Sequence, residues 1–489
     1  MALRSRSTRT ASAASTPPTP QIGAFPSTHK DRFPATGRLR RPGRWAALVA
    51  VAGLAVGGTA ATGNAAEAKG RDATTAVLDW NAAAGRAAVA ACLAPTNNPL
   101  TESRMYAMAQ LAVHDAINAV RPHAEAYATR FRAPAWASLD AAVAAASHDV
   151  MVSVFHDFPE PFGQACGDQG AASVEDFYAT SLADIPTGAA KQAGLAAGHR
   201  AANAVIALRA GDGSTTPLTD PTFPQGTQPG QWRFTPGAPF AFAPGWGSVR
   251  PFGLTSAGQF RSAAPHALDS TAYARDLNEI KAFGGDGLSS PTVRTPAQTE
   301  TAEFWVESSP LAWNRMARNV AQAARLDPWQ QARLLGLLNI ALADGYISSF
   351  AQKYDQLFWR PVTAIRLADT DGNPATTADP GWTPLEQTPP IPDHDSAHAV
   401  EGGAGSMVLR QVIGRDHFPI AQCSTTLPAG CDSDAPVVHH FDTFSQAAAE
   451  NSVSRIWVGF HFRWATVQGQ LHGEAIGRYI ANHLLQPLH

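Results

Sequence analysis

The sequence predicts an all-α fold built as a helical bundle, and three features support this prediction. Hydrophobic residues make up 45% of the 489 residues and charged residues only 16%, with abundant alanine, which suits a large helical core. Apolar residues recur at steps of three and four, as in residues 103–120, and this spacing marks one face of a helix. No run alternates with a two-residue period over a length that would predict a sheet.

The first 68 residues are predicted to precede the folded domain. Residues 1–35 are rich in Ser, Thr, Pro and Arg without apolar periodicity, so we expect them to be disordered. The basic stretch 38–44, the apolar run 45–58 and the small residues flanking Glu67 have the order of a signal peptide and its cleavage site. We therefore predict an exported protein with no stable membrane association after cleavage. An uncleaved membrane anchor is the alternative.

Residues 69–489 are predicted to form a single all-α domain. Helical spacing covers residues 103–120, 139–155, 189–210, 271–283, 297–306, 310–324, 328–351 and 461–485. A Pro- and Gly-rich segment, residues 211–252, interrupts the pattern and carries large aromatic side chains at Trp232, Phe234, Phe240, Phe242 and Trp246. A flexible linker would lack these aromatics, so we predict an ordered meander that packs on the helices.

Charge and cysteine content narrow the function class. The net charge of −3 does not favour a polyanionic partner, so we predict no nucleic-acid binding. Cys423 and Cys431 flank a short Pro/Gly loop in which a local disulfide is plausible, and Cys92 with Cys166 is then the remaining pair. Disulfides agree with export.

The first of three polar segments is "KYDQLFWRPVTAIR", in which Lys353 and Arg360 are seven residues apart. Seven steps of about 100° return to nearly the same helix face, so both cations would lie on one face, and Pro361 would end or kink that helix. Two stacked cations among apolar and aromatic neighbours repel each other unless an anion lies between them. The alternative is a surface pair whose charged ends reach water.

The second segment, "PPIPDHDSAHAVEGGAG", places Ser396, Ala397 and His398 directly before a predicted helix start. The first amides of a helix lack backbone acceptors and carry a partial positive charge, so this position is a ready oxyanion site. The alternative is that Ser396 only caps the helix, a role that Asp393 or Asp395 would serve equally well.

The third segment, "SRIWVGFHFRWATVQG", contains Arg455 and His461 in apolar surroundings. Polar groups in such a segment are expensive to bury unless something pairs with them. His461 is predicted near the N-terminus of the last helix, and Gly459 allows another backbone to approach closely. A lone histidine at such a position is more often structural than catalytic.

Together, the three segments supply three permanent cations, two histidines and a hydroxyl, all within apolar and aromatic sequence. Three buried cations need a multiply charged anion, and tetrahedral oxygens match the forked donors of arginine. Phosphate and vanadate both fit this description. One histidine could bond the central atom, and the other could move a proton at the opposite apex.

The order Lys-x6-Arg-Pro, Ser-small-His and Ser-Arg-x3-Gly-x-His resembles the signature of the superfamily of vanadium-dependent haloperoxidases and type 2 phosphatidic acid phosphatases. It stands here as "KYDQLFWRP", "DSAHA" and "SRIWVGFH". The segments "HDAINAV", "FWVESSPLAWNRMA" and "LLNIALADGYISSF" further resemble the exported bacterial haloperoxidase-like branch. The resemblance extends over roughly residues 78–485.

The resemblance implies a site within residues 350–470 that binds vanadate as cofactor, with phosphate as a competitor. His461 would be the single protein ligand of vanadium, and His398 the acid–base group at the apical oxygen. The groups implied to hold the equatorial oxygens are Lys353, Arg360, Arg455, the Ser396 hydroxyl and the Ala397 amide. The implied substrates are hydrogen peroxide, which Lys353 would polarise, a halide and a small organic acceptor that the hypohalous acid product halogenates.

Three positions depart from the family pattern. Asp395 replaces the usual proline and could orient His398 or repel the substrate, and Ala397 replaces the usual glycine. Ala465 stands where the phosphatases of the superfamily carry an aspartate that orients the nucleophilic histidine. Two alternatives to a haloperoxidase stay open: an exported acid phosphatase with His461 as nucleophile and His398 as general acid, or a non-catalytic phosphate- or vanadate-binding protein.

Halide preference is predicted from Ile391, seven residues before His398. In the family this position is aromatic in chloride-oxidising members and often histidine in members specialised for bromide. An aliphatic side chain offers no hydrogen bond to chloride, which retains more hydration free energy than the larger halides. We therefore expect iodide and bromide activity, with weak or absent chloride activity.

Other polar residues are predicted to be structural. His114 and Asp115 lie on an apolar helix and are interpreted as a satisfied core pair. Asp369, Asp371 and Asn373 resemble a calcium loop but lack the twelfth-position glutamate of an EF-hand. No ligand partners can be specified for His439, His440, His472 and His483.

Overall fold

Thirteen α-helices and two short hairpins form the regular structure of residues 73–158 and 163–488, the residues described in a computed structural model of the chain. The all-α class and the helical bundle are confirmed. These residues fall within one compact unit. The predicted disordered segment, the signal peptide and the domain start at residue 69 lie outside the described residues.

The helices are numbered in chain order. Their bounds are α1 Ala73–Ala90, α2 Pro99–Val120, α3 Leu139–His156, α4 Gln164–Ala183, α5 Ala189–Arg209, α6 Thr271–Phe283, α7 Pro296–Phe304, α8 Ser309–Ala323, α9 Pro328–Gln356, α10 Pro361–Arg366, α11 Ala397–Ile413, α12 Phe444–Trp457 and α13 Arg463–His483. Helices α1 to α5 pack as one bundle, α8, α9, α11, α12 and α13 as another, and α9 contacts both.

Helix α4 shows why part of the bundle is absent from the sequence prediction. Only Gly167, Gly170 and Val174 of its residues are buried, so it has no continuous apolar stripe to reveal a helical period. The disulfide between Cys92 and Cys166 fastens its first turn to the end of α1. That pairing and the Cys423–Cys431 pairing are both confirmed.

The expectation that no segment forms a sheet is wrong in detail. Strands β1 (Thr219–Asp220) and β2 (Ala241–Phe242) form one antiparallel pair, and β3 (His417–Cys423) and β4 (Val438–Thr443) form another. Burial alternates along β3, with Phe418, Ile420 and Gln422 inward, so this short run does have a two-residue period. The hairpin is a small addition to a helical fold.

Helix α9 is the centre of the structure. Asp327 and Gln330 form a reciprocal capping box at its start, so its first amides are satisfied. Within the described residues, α9 is the one helix long and apolar enough to cross a membrane, and 94% of its most apolar stretch is buried inside the protein. A core helix of a bundle has the same length and composition.

The prediction that Lys353 and Arg360 share one helix is wrong. Helix α9 ends at Gln356, Leu357 adopts a left-handed conformation with φ of 47°, and Arg360 caps the start of α10. Two causes are visible. Pro361 disfavours helical backbone at the residue before it, and the meander takes the free backbone groups, since Trp359 N donates to Gly230 O and Trp232 N donates to Leu357 O.

The predicted meander, residues 211–252, is ordered and packed on the helices. Trp232 and Trp246 are almost fully buried, and Phe242 N donates to Pro390 O. The meander therefore supports both the end of α9 and the segment before α11.

Helices α11 and α13 pack closely because glycines on α13 leave room for the backbone of α11. Gly469, Gly473 and Gly477 are spaced by four residues along α13 and face the backbone of α11. A β-carbon on Gly477 would lie 2.5 Å from Ala404 O, and one on Gly473 would overlap the Val400 carbonyl oxygen. This close contact sets the relative position of the N-termini of both helices.

Gly473→Ala is expected to lower the free energy of unfolding by about 1–3 kcal/mol, because the added methyl group has no space between the two helices. Urea denaturation would measure the change. Gly258→Ala is the matched control, since its nearest neighbours would be Arg261 side-chain atoms at 3.6 Å. Equal stability of the two variants would contradict this account of the α11–α13 contact.

Candidate functional site

The three polar segments meet where five helix ends converge. Lys353 lies in the last turn of α9, Arg360 directly precedes α10, Ser396 directly precedes α11, Arg455 lies in the last turn of α12, and His461 lies two residues before α13. All five are buried, Lys353, Arg360, Ser396 and Arg455 at 0% exposure and His461 at 4%. The segments far apart in sequence thus form one buried site.

Arg360 connects two of the segments. Its Nε donates to Ile391 O at 2.6 Å and its Nη1 to Phe460 O at 2.9 Å. Nη1 also lies 2.9 Å from Nε2 of His461. Lys353 complements this arrangement, because its Nζ donates to the carbonyls of Pro392 and Asp393, both at 2.9 Å. The two cations therefore hold residues 391–393 close to His461.

A tight turn after α12 positions His461. The Arg455 carbonyl accepts hydrogen bonds from the amides of Phe460 and His461 at 3.0 and 3.2 Å. Gly459 has φ of +87°, and a β-carbon there would lie 2.6 Å from Gly284 O. The close backbone approach predicted at Gly459 is present, and both requirements favour glycine.

The start of α11 presents free amides to the site. Val400 N donates the first helical bond to Ser396 O, so the preceding amides of the first turn have no helical acceptor. Ser396 makes no capping hydrogen bond, so the interpretation of its hydroxyl as a cap is wrong. Ser396 N is bonded to Ala465 O at 3.1 Å, which ties this turn to α13.

Five polar atoms at the site are buried without a hydrogen-bond partner among the described residues. They are Arg360 Nη2, Arg455 Nη1, Ser396 Oγ and His398 Nδ1, and the fifth is Oδ2 of Asp393, the carboxylate that contacts His461. None of the ion pairs formed by the described residues includes Lys353, Arg360 or Arg455. Unpaired buried donors are costly, and together these donors match the acceptors of an oxyanion.

Burial and mutual repulsion lower the pKa values of the basic side chains in the site. Burial, with repulsion from Arg360, brings the pKa of Lys353 well below its usual value. Burial lowers the pKa of Arg360 to about 10 and that of Arg455 to about 9. The pKa of His461 is held well below its usual value by burial and then by the cations, so its ring is neutral at pH 7.

His398 lies in the first turn of α11. The residue as a whole is partly exposed, although its Nδ1 atom is buried. Burial of the titrating group lowers its pKa well below the usual value, and Arg455, Lys353 and Arg360 lower it further. The same three cations lower the pKa of both histidines.

Asp393 is a site residue that the sequence analysis considered only as a helix cap. Its Oδ1 lies 2.9 Å from Nδ1 of His461. With Asp393 as its acceptor, a neutral His461 donates from Nδ1, and its Nε2 accepts from Arg360 Nη1. Asp393 thus supplies a carboxylate that orients His461, whereas Ala465, at the position of the phosphatases' aspartate, has none. Asp393 lies 68 residues before His461, so no local sequence signal reveals the pairing.

Asp395 does not orient His398, contrary to one of the two roles expected for it. Its Oδ1 accepts from Ser349 Oγ at 2.8 Å, and its Oδ2 lies 2.7 Å from Nδ1 of His472. Burial raises the pKa of Asp395, but the charge and hydrogen bond of His472 outweigh it, and the pKa lies well below the usual range. His472, for which no partner was specified, is therefore paired.

The remaining candidates have structural partners. His114 bonds the Glu125 carbonyl, and Asp115 accepts three backbone amides at residues 127–129. Asp371 is occupied by Thr376 and a backbone amide, as in a self-contained turn. His439 pairs with Glu450, and His483 bonds the Tyr479 carbonyl. In the part of the chain that the structure describes, no cluster of three or more His, Cys, Asp or Glu side chains could hold a metal ion.

Part of the sequence matches known proteins. Residues 333–489 match the family model described as the VCPO second helical-bundle domain. A curated relative, vanadium chloroperoxidase from Curvularia inaequalis, is 28% identical over 40% of this chain. The match spans 41% of the length of that relative.

The fold matches solved structures over most of the chain. A bacterial vanadium-dependent iodoperoxidase superposes with a TM-score of 0.67 at 23% identity, covering 84% of this chain and 97% of the other. The apo form of a bacterial vanadium-dependent chloroperoxidase superposes with a TM-score of 0.63 at 16% identity, covering 80% and 95%. The chain thus shares its fold with solved vanadium haloperoxidases, and its residues 333–489 match a family model of the same group.

Proposed function

We propose that this protein is a vanadate-dependent haloperoxidase that uses hydrogen peroxide to oxidise a halide to hypohalous acid. The observation that carries the proposal is the set of unpaired donors on the segments that meet at His461. Arg360 Nη2, Arg455 Nη1 and Ser396 Oγ are buried without partners, and none of the ion pairs formed by the described residues includes a cation of the site. A multiply charged tetrahedral oxyanion satisfies both deficits.

The residues present fit vanadate. His461 would supply the single nitrogen ligand through Nε2, while Lys353, Arg360, Arg455, Ser396 and the amide of Ala397 would bind the oxygens. Bound vanadate would supply a Lewis acid that activates hydrogen peroxide towards the halide without changing oxidation state. Asp393 fixes the tautomer of His461 by accepting from Nδ1.

His398 is proposed as the proton carrier. The residue is partly exposed, and its ring is neutral because burial and the cations lower its pKa. It can therefore accept a proton from incoming peroxide and pass it to solvent. Lys353, with Nζ fixed between two carbonyl oxygens, would polarise the bound substrate.

We further propose iodide and bromide as the preferred halides and a small organic molecule as the acceptor. Ile391 is buried in an apolar cluster with Ala397, Tyr346 and Phe350. This neighbourhood gives a strongly hydrated chloride little compensation for its lost water.

An exported location is also proposed. Two disulfides in the described residues suit an oxidising compartment. The basic and apolar order of residues 38–58 supports a signal peptide.

An acid phosphatase is the second candidate, because one observation favours it. A nucleophilic histidine needs a carboxylate that orients it. Asp393 provides this carboxylate to His461, although Ala465 stands where the phosphatases carry their orienting aspartate. His461 would then attack phosphorus and His398 would protonate the leaving group. Phosphate-ester hydrolysis by metal-free protein, inhibited by vanadate, would favour this candidate.

His461→Ala is expected to abolish halide-dependent peroxidase activity, because Nε2 of His461 is the proposed ligand. Protein freed of phosphate would be loaded with orthovanadate and assayed with bromide and peroxide. His483→Ala, an exposed histidine on α13, is the control and should keep full activity. Near-normal turnover by the His461 variant would contradict the mechanism.

Arg455→Met is expected to weaken vanadate binding by about tenfold to a hundredfold, the effect of a lost charge-assisted hydrogen bond. Without anion, the same variant should be as stable as wild type or more so, because an uncompensated buried cation is removed. Equilibrium dialysis and urea denaturation measure the two quantities.

Arg463→Met is the control for this pair of measurements, because Arg463 pairs with Glu279 outside the site. Its vanadate affinity should equal that of wild type. An unchanged dissociation constant in the Arg455 variant would place the anion elsewhere.

Vanadate-loaded protein is expected to halogenate a diketone dye with iodide and bromide much faster than with chloride at neutral pH. The reason is the apolar surroundings of Ile391. Initial rates with each of the three salts at equal ionic strength measure the order. Chloride turnover as fast as bromide turnover would exclude Ile391 as the selector.

A further inference from the structure

A buried row of hydrogen bonds lies directly behind the anion site. Ser348 Oγ lies 2.9 Å from Nε2 of His472, Nδ1 of His472 lies 2.7 Å from Asp395 Oδ2, and Asp395 Oδ1 accepts from Ser349 at 2.8 Å. His472 is 3% exposed and Asp395 is 0% exposed. The row joins α9, α13 and the segment before α11.

The order Ser–His–Asp does not form a hydrolytic site here. Ser348 lies inside α9, is 1% exposed, and donates its hydroxyl proton to Ala257 O at 2.7 Å. A nucleophile needs access to a substrate, and this hydroxyl has none. Any effect of this row on the site must therefore come from the groups that its hydrogen bonds hold in place.

What the row holds is a carboxylate next to an oxyanion site. Asp395 immediately precedes Ser396, whose hydroxyl is one of the unpaired donors. A carboxylate free to turn towards a bound anion would repel it strongly in this buried setting. Both Asp395 oxygens instead have partners on α9 and α13.

The same contacts fix the backbone of the anion-binding turn. Ser349 is one helical turn before Lys353 on α9, so one end of the Asp395 carboxylate is tied to the helix that presents the lysine. Ser396 N bonds Ala465 O, and a β-carbon on Gly469 would lie 2.7 Å from Ser396 O, so α13 lies directly against the turn.

We propose that His472 is a positioning residue for the anion site: it holds the Asp395 carboxylate away from the bound anion and compensates its charge. This inference rests on the proposed function. It assigns to this chain a specific solution for an aspartate at the position where the family it resembles carries proline. His472 touches neither the anion nor the substrates, and it acts through Asp395.

The test is a double-mutant comparison of anion affinity. His472→Ala should raise the dissociation constant for orthovanadate by about tenfold or more, because Asp395 is released as an uncompensated charge. Adding Asp395→Asn in the same chain should return the affinity to within about threefold of wild type, because the amide carries no charge. Equilibrium dialysis against orthovanadate, and separately against inorganic phosphate, gives the affinities without any activity assay.

Rescue by Asp395→Asn separates this role from a structural one. If His472 only packs the core, the double variant will bind as weakly as the single variant, and the proposal is wrong. Single-variant affinity within twofold of wild type would also overturn it. Should His472→Ala fail to fold, His472→Leu, which fills the space but cannot donate to Asp395, carries the same comparison with and without Asp395→Asn.

The controls distinguish this proposal from the proposed function. His483→Ala, on the same helix, should leave both affinities unchanged. If wild-type protein binds phosphate but not vanadate, the haloperoxidase proposal fails, while the phosphate affinities of the variants still decide the role of His472.

Discussion

Burial of Lys353, Arg360 and Arg455 without a direct ion pair is the constraint on which the rest of the site depends. No ion pair among the described residues includes any of the three. Backbone carbonyls of residues 391–393 and 460 satisfy part of their donor capacity and draw these segments together. Arg360 Nη2 and Arg455 Nη1 have no partner among the described residues, so two buried donors of the folded protein are left for a bound anion to satisfy.

The fold meets the need for an anion site in two ways. It places the first amides of α11 at the site, and it binds the nearby carboxylates to other residues. The glycine contact between α11 and α13 brings the amides that start α11 next to His461, and such amides favour an anion for the same reason that the arginines do. Two aspartates lie close by: both oxygens of Asp395 have partners, and Asp393 has a partner at Oδ1 but none at Oδ2 among the described residues. Asp393 holds Nδ1 of His461, and Asp395 is held by Ser349 and His472. In these positions, the two aspartates orient His461 and fix the turn before α11, although the ligand of the site is itself negatively charged.

The sequence was sufficient to predict the helical class, the ordered meander, both disulfides and the residues that meet at the site. These depend on periodicity, composition and motif, all of which are local. It was not sufficient for the helix break between Lys353 and Arg360, because backbone bonds from Gly230 and Trp232 help to end α9 there. The partners of His461 and His472 were also missed. Each lies on a different element of the fold, 68 and 77 residues away, and only tertiary packing brings them together.

The most direct test of the central claim is a crystal structure of the protein loaded with orthovanadate. The account predicts one vanadate bonded to Nε2 of His461, with its oxygens accepting hydrogen bonds from Arg360 Nη2, Arg455 Nη1 and Ser396 Oγ. Nδ1 of His461 should stay bonded to Asp393, and Asp395 should stay bonded to His472. Vanadate bound away from His461, or a site in which those three donors stay unpaired at saturating vanadate, would contradict the account.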